Sequence, residues 1–364
     1  MLKKGHNMRV LAIVNTEYHL LLLINEVMKN PGSSFEVYLA KKGNSKRLCL
    51  DFNFDDFPNA SFRNLESKVD LNGKLSKTQK SLLDKINSTI YSEFIFFQQQ
   101  DPFIQALLRS IELLKSEIRP IVSLYQDGLK PYNKMKGYSL GMVKYDLRVD
   151  KWLRRNGFRG YRLFEFMNSK HYGYNRIIDH LYLTFPKAYD NWNEKIIKTI
   201  EFIDHDTFKR ALEKLFGWKS SLLPVKSNVL MYLSQPIRSD SQAEVNFLRS
   251  LVASTRKRII LKLHPLTSDE QIQNFMTVSD DIEIIKSQIP AEIFLMNLSN
   301  SVALSLNSTS FFYNSPGVEY VYLSNLFRDR IKRLRRYKFN SSPSEHILMA
   351  NDKYEIISLI NINS

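Results

Sequence analysis

Three short segments carry side chains suited to acid–base and phosphate chemistry. His264 follows the apolar run Arg258–Leu263, and Pro265 after it prevents that strand from continuing. An imidazole titrates near neutrality, so at a strand end it is able to donate a proton or a hydrogen bond. The run Asn307-Ser308-Thr309-Ser310 sets hydroxyls between an apolar strand and a helix start, where side-chain and backbone donors suit a phosphate. Tyr125-Gln126-Asp127-Gly128 ends another apolar run and offers one carboxylate beside one carboxamide. Asp127 is able to accept a proton, whereas Gln126 has no basic lone pair comparable to a carboxylate's. Gly128 permits a tight turn. Glu292, just after Pro290, is a carboxylate at a helix start. Each also has a plain structural reading: a strand-end histidine, a helix cap, a carboxylate favoured by the helix dipole.

The elements that must hold these groups alternate between strand and helix. Arg9–Val14 reads as a buried strand, Tyr18–Met28 as a helix and Phe35–Leu39 as a strand. Residues Leu50–Leu75 are polar and irregular. A helix over Ser76–Ser92, a strand at Phe94–Phe97, a helix over Ile104–Ile118 and a strand at Pro120–Tyr125 follow. Such spacing predicts a parallel sheet with helical crossovers, whose strand ends at the carboxyl side bind ligands. After a basic stretch come a strand at Asp179–Phe185 and helices to about Phe216, then a break around Pro224. Strands at Val229–Leu233, Arg258–Leu263, Ile282–Ile285 and Val302–Leu306 alternate with helices at Ser241–Thr255, at Ala291–Leu298 and from near Ser308. The expectation is α/β, with one Rossmann-like domain over residues 1–225 and a second over 226–364. The final helix, Asp352–Asn361, is free to pack onto either domain, the first included.

Composition narrows the partners. At 364 residues and 43% hydrophobic content the chain fills two conventional cores. Lys and Arg total 52 against 37 for Asp and Glu, a net charge of +15, which attracts nucleic acid, anionic lipid or acidic polysaccharide. The excess is uneven. Lys144, Arg148, Lys151, Arg154, Arg155, Arg159 and Arg162 outnumber Asp146 and Asp150, with Tyr145, Trp152, Phe158 and Tyr161 interleaved. A second run spans Arg328 to Lys338. Cys49 is the sole cysteine, which excludes an intrachain disulfide and a cysteine-rich zinc site and fits a reducing cytoplasm. No stretch approaches the roughly 18–20 apolar residues of a transmembrane helix. No Gly-rich phosphate loop, His-Glu-x-x-His pair or Gly-x-Ser-x-Gly elbow is present.

Taken in order, Gln126-Asp127-Gly128, His264-Pro265 and Ser308-Thr309-Ser310 resemble the acidic-acidic-Gly, His-Pro and Ser/Thr motifs of bacterial GT-B sialyltransferases. The segments Val14-Asn15-Thr16-Glu17-Tyr18-His19 and Ile289-Pro290-Ala291-Glu292 also look like that group, and the basic charge makes capsular polysialyltransferases the nearest branch. The resemblance implies two domains facing across a cleft. It further implies an inverting, metal-independent transfer of sialic acid from CMP-sialic acid to the non-reducing end of an oligo- or polysialic acid in capsule synthesis. No cofactor is implied beyond that donor.

Carried over residue by residue, His264 assists phosphate departure. Ser308, Thr309 and Ser310 hold the phosphate and Glu292 the ribose. Lys262, Pro265, Asn15 and Thr16 complete the donor side. Gly128, Lys130, Arg148, Lys151, Arg154 and Arg155 line the acceptor side. One position departs from the pattern: the general base stands at residue 126, where this chain has Gln126. Either the motif is offset and Asp127 is the base, or a Glu→Gln exchange has removed the base; the near-isosteric exchange favours the second. The expected place is the cytoplasm, peripheral at the inner membrane or in a capsule-assembly complex.

Rival readings exist. A lipooligosaccharide sialyltransferase or a GT-B enzyme using UDP- or GDP-sugar fits the same plan. The charge alone would suit a polyanion- or nucleic-acid-binding protein, but no nucleic-acid motif supports one, so no nucleic-acid partner is expected. Asp204-His205-Asp206 matches the Asp-x-Asp spacing of metal-dependent GT-A enzymes. It precedes the helical pattern Phe208–Leu215, which makes Asp206 an N-cap rather than a metal ligand.

Overall fold

Short apolar strands, each followed by a turn and a helix, build two parallel sheets in this computed structural model. The structure describes residues 8–41, 48, 51–66, 68–115, 120–132, 140–162, 165, 168, 171–190, 194–236, 241–329, 331, 334 and 343–362. Among these residues the chain divides into two compact units, one of residues 1–49 and 54–203, the other of residues 50–53 and 204–364.

In the first unit β1 (Arg9–Val14), α1 (Glu17–Lys29), β2 (Ser34–Lys41) and β3 (Ala60–Glu66) come first. Next are α2 (Lys77–Ser88), β4 (Glu93–Phe96), α3 (Pro102–Lys115) and β5 (Ile121–Tyr125). The last elements are α4 (Leu140–Arg155), β6 (His180–Leu183) and β7 (Ile196–Thr199). The sheet order is β3-β2-β1-β4-β5-β6-β7, all parallel. Central strands buried on both faces need apolar side chains throughout, which is why Val10–Val14 is an unbroken apolar run. The edges differ. In β3 only Leu65 is buried and in β7 no residue is, so neither shows the apolar run that marks a central strand.

Helix α4 occupies the stretch that reads in sequence as merely basic. Its Val149, Trp152 and Leu153 pack with Ala106 of α3, a 3.6-residue apolar stripe partly hidden among the charges. Burial of a large apolar side chain contributes about 1.5–3 kcal/mol, enough to fix which face of α4 turns outward.

In the second unit β8 (Val229–Leu233), β9 (Arg258–Lys262), β10 (Ile282–Ile285), β11 (Ser301–Ser305), β12 (Val318–Tyr322) and β13 (Ile347–Met349) form a parallel sheet ordered β10-β9-β8-β11-β12-β13. One expectation changes here. The division falls at residues 203–204 rather than 225–226, because the helix His205–Leu215 packs in the second unit. There Glu213 accepts a hydrogen bond from Asn297 at 2.7 Å, and His205 Nδ1 meets Tyr313 Oη at 2.9 Å. Of the two places open to the last helix, Lys353–Ile362, it takes the second unit: its Ile356 and Ile360 join the core formed by Leu230, Leu261 and Leu304.

The Asp204-His205-Asp206 segment is a helix start, but its cap is Asp204, whose Oδ1 accepts from Thr207 N at 3.0 Å; Asp206 lies in the first turn. Among the described residues no helix is long and apolar enough to cross a membrane. Most of the second basic run, beyond Asp329, lies outside the described residues apart from Ile331 and Leu334.

Candidate active site

In an open parallel sheet the ligand crevice lies at the carboxyl ends of the strands where the winding reverses. The second unit reverses between β8 and β11. At that edge the His264 backbone N–H donates to Ser234 Oγ at 2.9 Å, tying the end of β9 to the end of β8. His264 Nδ1 accepts from the Leu266 N–H at 3.0 Å. That bond requires an unprotonated Nδ1 and therefore places the proton of the neutral ring on Nε2. Pro265 makes the turn that brings Leu266 round, and the Thr267 N–H closes it on the His264 carbonyl at 2.9 Å. The neutral ring is therefore a hydrogen-bond donor through Nε2.

Two residues before it, Lys262 is buried. Its ammonium donates to Leu263 O at 3.0 Å and Ser287 O at 2.8 Å and stands 5.2 Å from the centre of the Phe294 ring. Burial pushes this lysine down to about 8, with the Glu292 charge opposing the shift. Lys262 thus pins the end of β9 to the loop ahead of the helix Ala291–Met296, on whose first turn the buried Glu292 sits.

The hydroxyl segment starts a four-residue 3₁₀ turn, Thr309–Phe312, and not the longer helix expected. Ser308 caps it, its Oγ accepting from Ser310 N at 3.3 Å, and Tyr322 Oη donates to the Ser308 carbonyl at 2.7 Å. Ser308 and Ser310 are buried and Thr309 is half-buried.

The first unit reverses between β1 and β4. Beyond β5 the two residues of the motif part company. The Gln126 side chain is 0% exposed. Its Nε2 donates to Tyr18 Oη at 2.5 Å and Thr184 Oγ1 at 2.7 Å, while its Oε1 accepts from Thr184 N and Tyr132 Oη, both at 2.8 Å. Every polar capacity of the amide is used. Asp127 is different, with 15% of its side chain exposed. Its Oδ1 meets His19 Nε2 at 3.1 Å and its Oδ2 accepts from Lys130 Nζ. Burial pushes the Asp127 carboxyl up, but the hydrogen bond and charge of His19, joined by Lys130, outweigh it and hold the group well below the usual carboxylate range. Gly128 turns the chain with φ 59°.

His19 receives no individual role from the sequence. It rides the first turn of α1, which Thr16 caps by accepting from His19 N at 3.2 Å, and its ring stacks on Phe97 at 4.6 Å. The only local signal is a histidine in a first helical turn after a buried strand; that it meets Asp127, 108 residues on, is a product of the sheet.

The basic cluster divides into committed and uncommitted charges. Arg154 pairs with Asp150 at 2.8 Å, and Arg155 donates to the carbonyls of Leu71 and Asn72 at 3.5 and 2.5 Å. Arg159 is bound by Glu112 and Glu165. Lys144, Arg148 and Lys151 are exposed on α4 and form no ion pair among the described residues.

Glu165 is the hinge of this network: buried, it pairs with the equally buried Arg109 at 3.3 Å and with Arg159 at 2.8 Å. Burial pushes the Glu165 carboxyl up, yet Arg159 and Arg109 prevail and lower it. A lowered carboxyl contributes stability above its unfolded range and loses it as pH falls through the folded value. Glu165→Ala leaves Arg109 as an uncompensated buried charge and should cost about 3–5 kcal/mol, read as a lower denaturant midpoint for the first unit. A loss under about 1 kcal/mol would mean that water already reaches the pair.

Parallel sheets of this order, paired in one chain, define the two-unit α/β class called GT-B. At the level of fold the chain is similar to a UDP-N-acetylglucosamine 2-epimerase at 14% identity, over 98% of this chain and 87% of that one, with TM-score 0.51. It is similar to apo UGT2 of Phytolacca americana at 10% identity, over 97% and 90%, with TM-score 0.50. The GT-B domain of a Photobacterium damselae sialyltransferase matches at 10% identity over 94% and 100%, with TM-score 0.49. The chain matches no curated protein sequence. The model of the alpha-2,8-polysialyltransferase family matches residues 120–316, more than half of the 364 residues, and the chain belongs to that family. It is accordingly a glycosyltransferase of the sialyltransferase kind.

Proposed function

We propose that the protein transfers sialic acid from CMP-sialic acid to the non-reducing end of an oligo- or polysialic acid, with inversion and without a metal ion, in the synthesis of a capsular polymer. The observation that carries this reading is that the family match contains all three motifs, from Asp127 through His264 to Ser308, each at the carboxyl edge of its sheet. In this reading the second unit holds the nucleotide. Ser308, Thr309 and Ser310 contact the phosphate, Glu292 accepts from the ribose hydroxyls, and Lys262 and Pro265 fix the loop that presents His264. A phosphate leaving group needs its growing charge met rather than a full proton. The Nε2–H of a neutral imidazole supplies that as a hydrogen bond.

In the first unit Asp127 takes the acceptor proton. It is the one carboxylate of the two and is partly exposed, and His19 and Lys130 orient it. A carboxylate held this firmly ionised is a weak base, so the proton moves late, once the bond to CMP is largely broken. Gln126 then serves as a strut that fixes the turn, and no lost glutamate need be invoked.

The reading is tested by CMP release from CMP-sialic acid with an oligosialic acceptor in the presence of a chelator. Turnover that survives chelation, an α-linked product by NMR and competition by CMP but not UDP or GDP are expected. Preference for UDP or GDP would assign a different donor, and abolition by chelation would remove the metal-independent step.

The uncommitted charges of α4 give the acceptor reading its own check. Lys144, Arg148 and Lys151 share one helical face at i, i+4 and i+7. Replacing all three by glutamine should raise KM for a long polysialic acceptor by about tenfold and leave the KM of a two-sugar acceptor and of the donor within about twofold. The difference should fade at high salt, because such contacts are screened. An equal effect on short acceptors would place these residues at the reacting end. The same exposed cations support a peripheral position against an anionic membrane face.

A further inference from the structure

At the first unit's reversal between β1 and β4, Asn15 follows Val14 directly and precedes the Thr16 cap of α1. It is 5% exposed, and neither its Oδ1 nor its Nδ2 has a hydrogen-bond partner among the described residues. The contrast with Gln126 is direct: two buried carboxamides at carboxyl ends of one sheet, one with four bonds and one with none. Native proteins pair buried amides, since an orphaned one forfeits its hydration without return. A leucine here would fill similar space at lower cost to the fold. An amide in this state is one whose hydrogen bonds a ligand would complete.

The chemistry of that ligand follows from what is missing. A carboxamide offers one acceptor and two donors in one plane. A secondary amide answers both, giving its N–H and taking an N–H on its carbonyl. The positive end of α1, a helix of 13 residues, starts two residues further on and favours an anion beside that amide. An anionic sugar bearing an N-acyl group has both features.

We propose that Asn15 reads the N-acyl group of a sialic acid, its Oδ1 taking the ligand N–H and its Nδ2 giving a hydrogen bond to the acyl carbonyl. The inference rests on the sialyltransferase reading above and deepens it. The sialyl group is that of the donor or of the acceptor terminus; the two carry the same amide.

The decisive comparison is between the unaltered chain and Asn15→Leu, followed by thermal melting and by ligand titration. The probes are CMP, CMP-sialic acid, oligosialic acid and the deaminated counterparts of the last two, in which a hydroxyl replaces the N-acyl group. Without ligand, Asn15→Leu should melt a few degrees higher, since an orphaned amide has gone. The unaltered chain should bind one N-acylated probe about tenfold more tightly than its deaminated counterpart, the worth of one to two hydrogen bonds. The variant should lose that margin and keep its affinity for CMP. Loss of the margin on CMP-sialic acid assigns the donor, and loss on oligosialic acid the acceptor. A lower melting temperature, a margin that survives Asn15→Leu, or no margin in the unaltered chain would overturn the role of Asn15 while CMP and sialoside binding left the transferase reading standing. Failure of the unaltered chain to bind either CMP or any sialoside would bring down that reading and this one together.

Discussion

Asp127→Asn should lower the rate of sialyl transfer by about 10²–10⁴-fold, the usual worth of general-base assistance, with CMP affinity unchanged. Gln126→Glu should leave the rate within about tenfold of the unaltered chain. The paired experiment decides between the two residues because their surroundings differ so sharply. A carboxylate at position 126 would be caged by Tyr18, Tyr132 and Thr184, whose hydroxyls are able to turn and donate to it. So satisfied, and with the side chain enclosed, it would have to break its cage to meet an acceptor hydroxyl. Asp127 needs no such change. Should Gln126→Glu instead raise turnover by a hundredfold or more, position 126 is the base and the chain as it stands is a crippled enzyme. His19→Ala adds a further reading: it frees Asp127 to rise toward ordinary carboxylate behaviour, so the acid limb of the pH–rate profile should move to higher pH. A role confined to packing would lower stability and leave that limb in place.

His264→Ala should cost about 10²–10³-fold in kcat, as removal of a single preorganised donor does elsewhere, while CMP remains bound by the hydroxyl segment. The tautomer makes the prediction sharper. Because the Leu266 N–H occupies Nδ1, the neutral ring donates from Nε2, and an asparagine or glutamine that places an N–H near that position should recover part of the loss. A fully protonated imidazolium would sacrifice the Leu266 bond. Equal losses in His264→Ala and His264→Gln would argue for true proton transfer rather than hydrogen bonding.

Much of this arrangement is legible in the sequence, for reasons that vary by element. Strands β1 and β8 lie where the apolar runs place them, since a strand covered on both faces must be apolar throughout. Strands β3, β7, β12 and β13 are not found that way. The first two are edges with mixed faces, β13 is three residues long, and β12 follows a 3₁₀ turn that mimics a helix start. Helix α4 is obscured because its charges dominate its composition while its apolar stripe is only one residue in three or four wide. Motif residues are visible because they sit where a strand must stop, as Pro265 and Gly128 announce. Which motif residue faces outward is not visible. Gln126 and Asp127 are neighbours in the chain, and only the pairing of Gln126 with Tyr182 on β6 and of Asp127 with His19 on α1 separates the enclosed side chain from the available one. The fate of the arginines is mixed: Asp150 holds Arg154 through an i,i+4 contact within α4, whereas Glu112 reaches Arg159 only through the fold.

The second unit draws residues 50–53 out of the first unit's sequence, with Asn53 N bonded to Leu215 O at 3.1 Å and Phe52 set edge-on against Phe216 at 5.5 Å. The polypeptide therefore passes between the units three times. Exchange of whole units with a relative is therefore not complete at a single junction near residue 204. A recombinant that carries residues 204–364 alone leaves Leu215 and Phe216 facing a strap from the wrong parent. An exchange that keeps these contacts has to carry residues 50–53 together with residues 204–364.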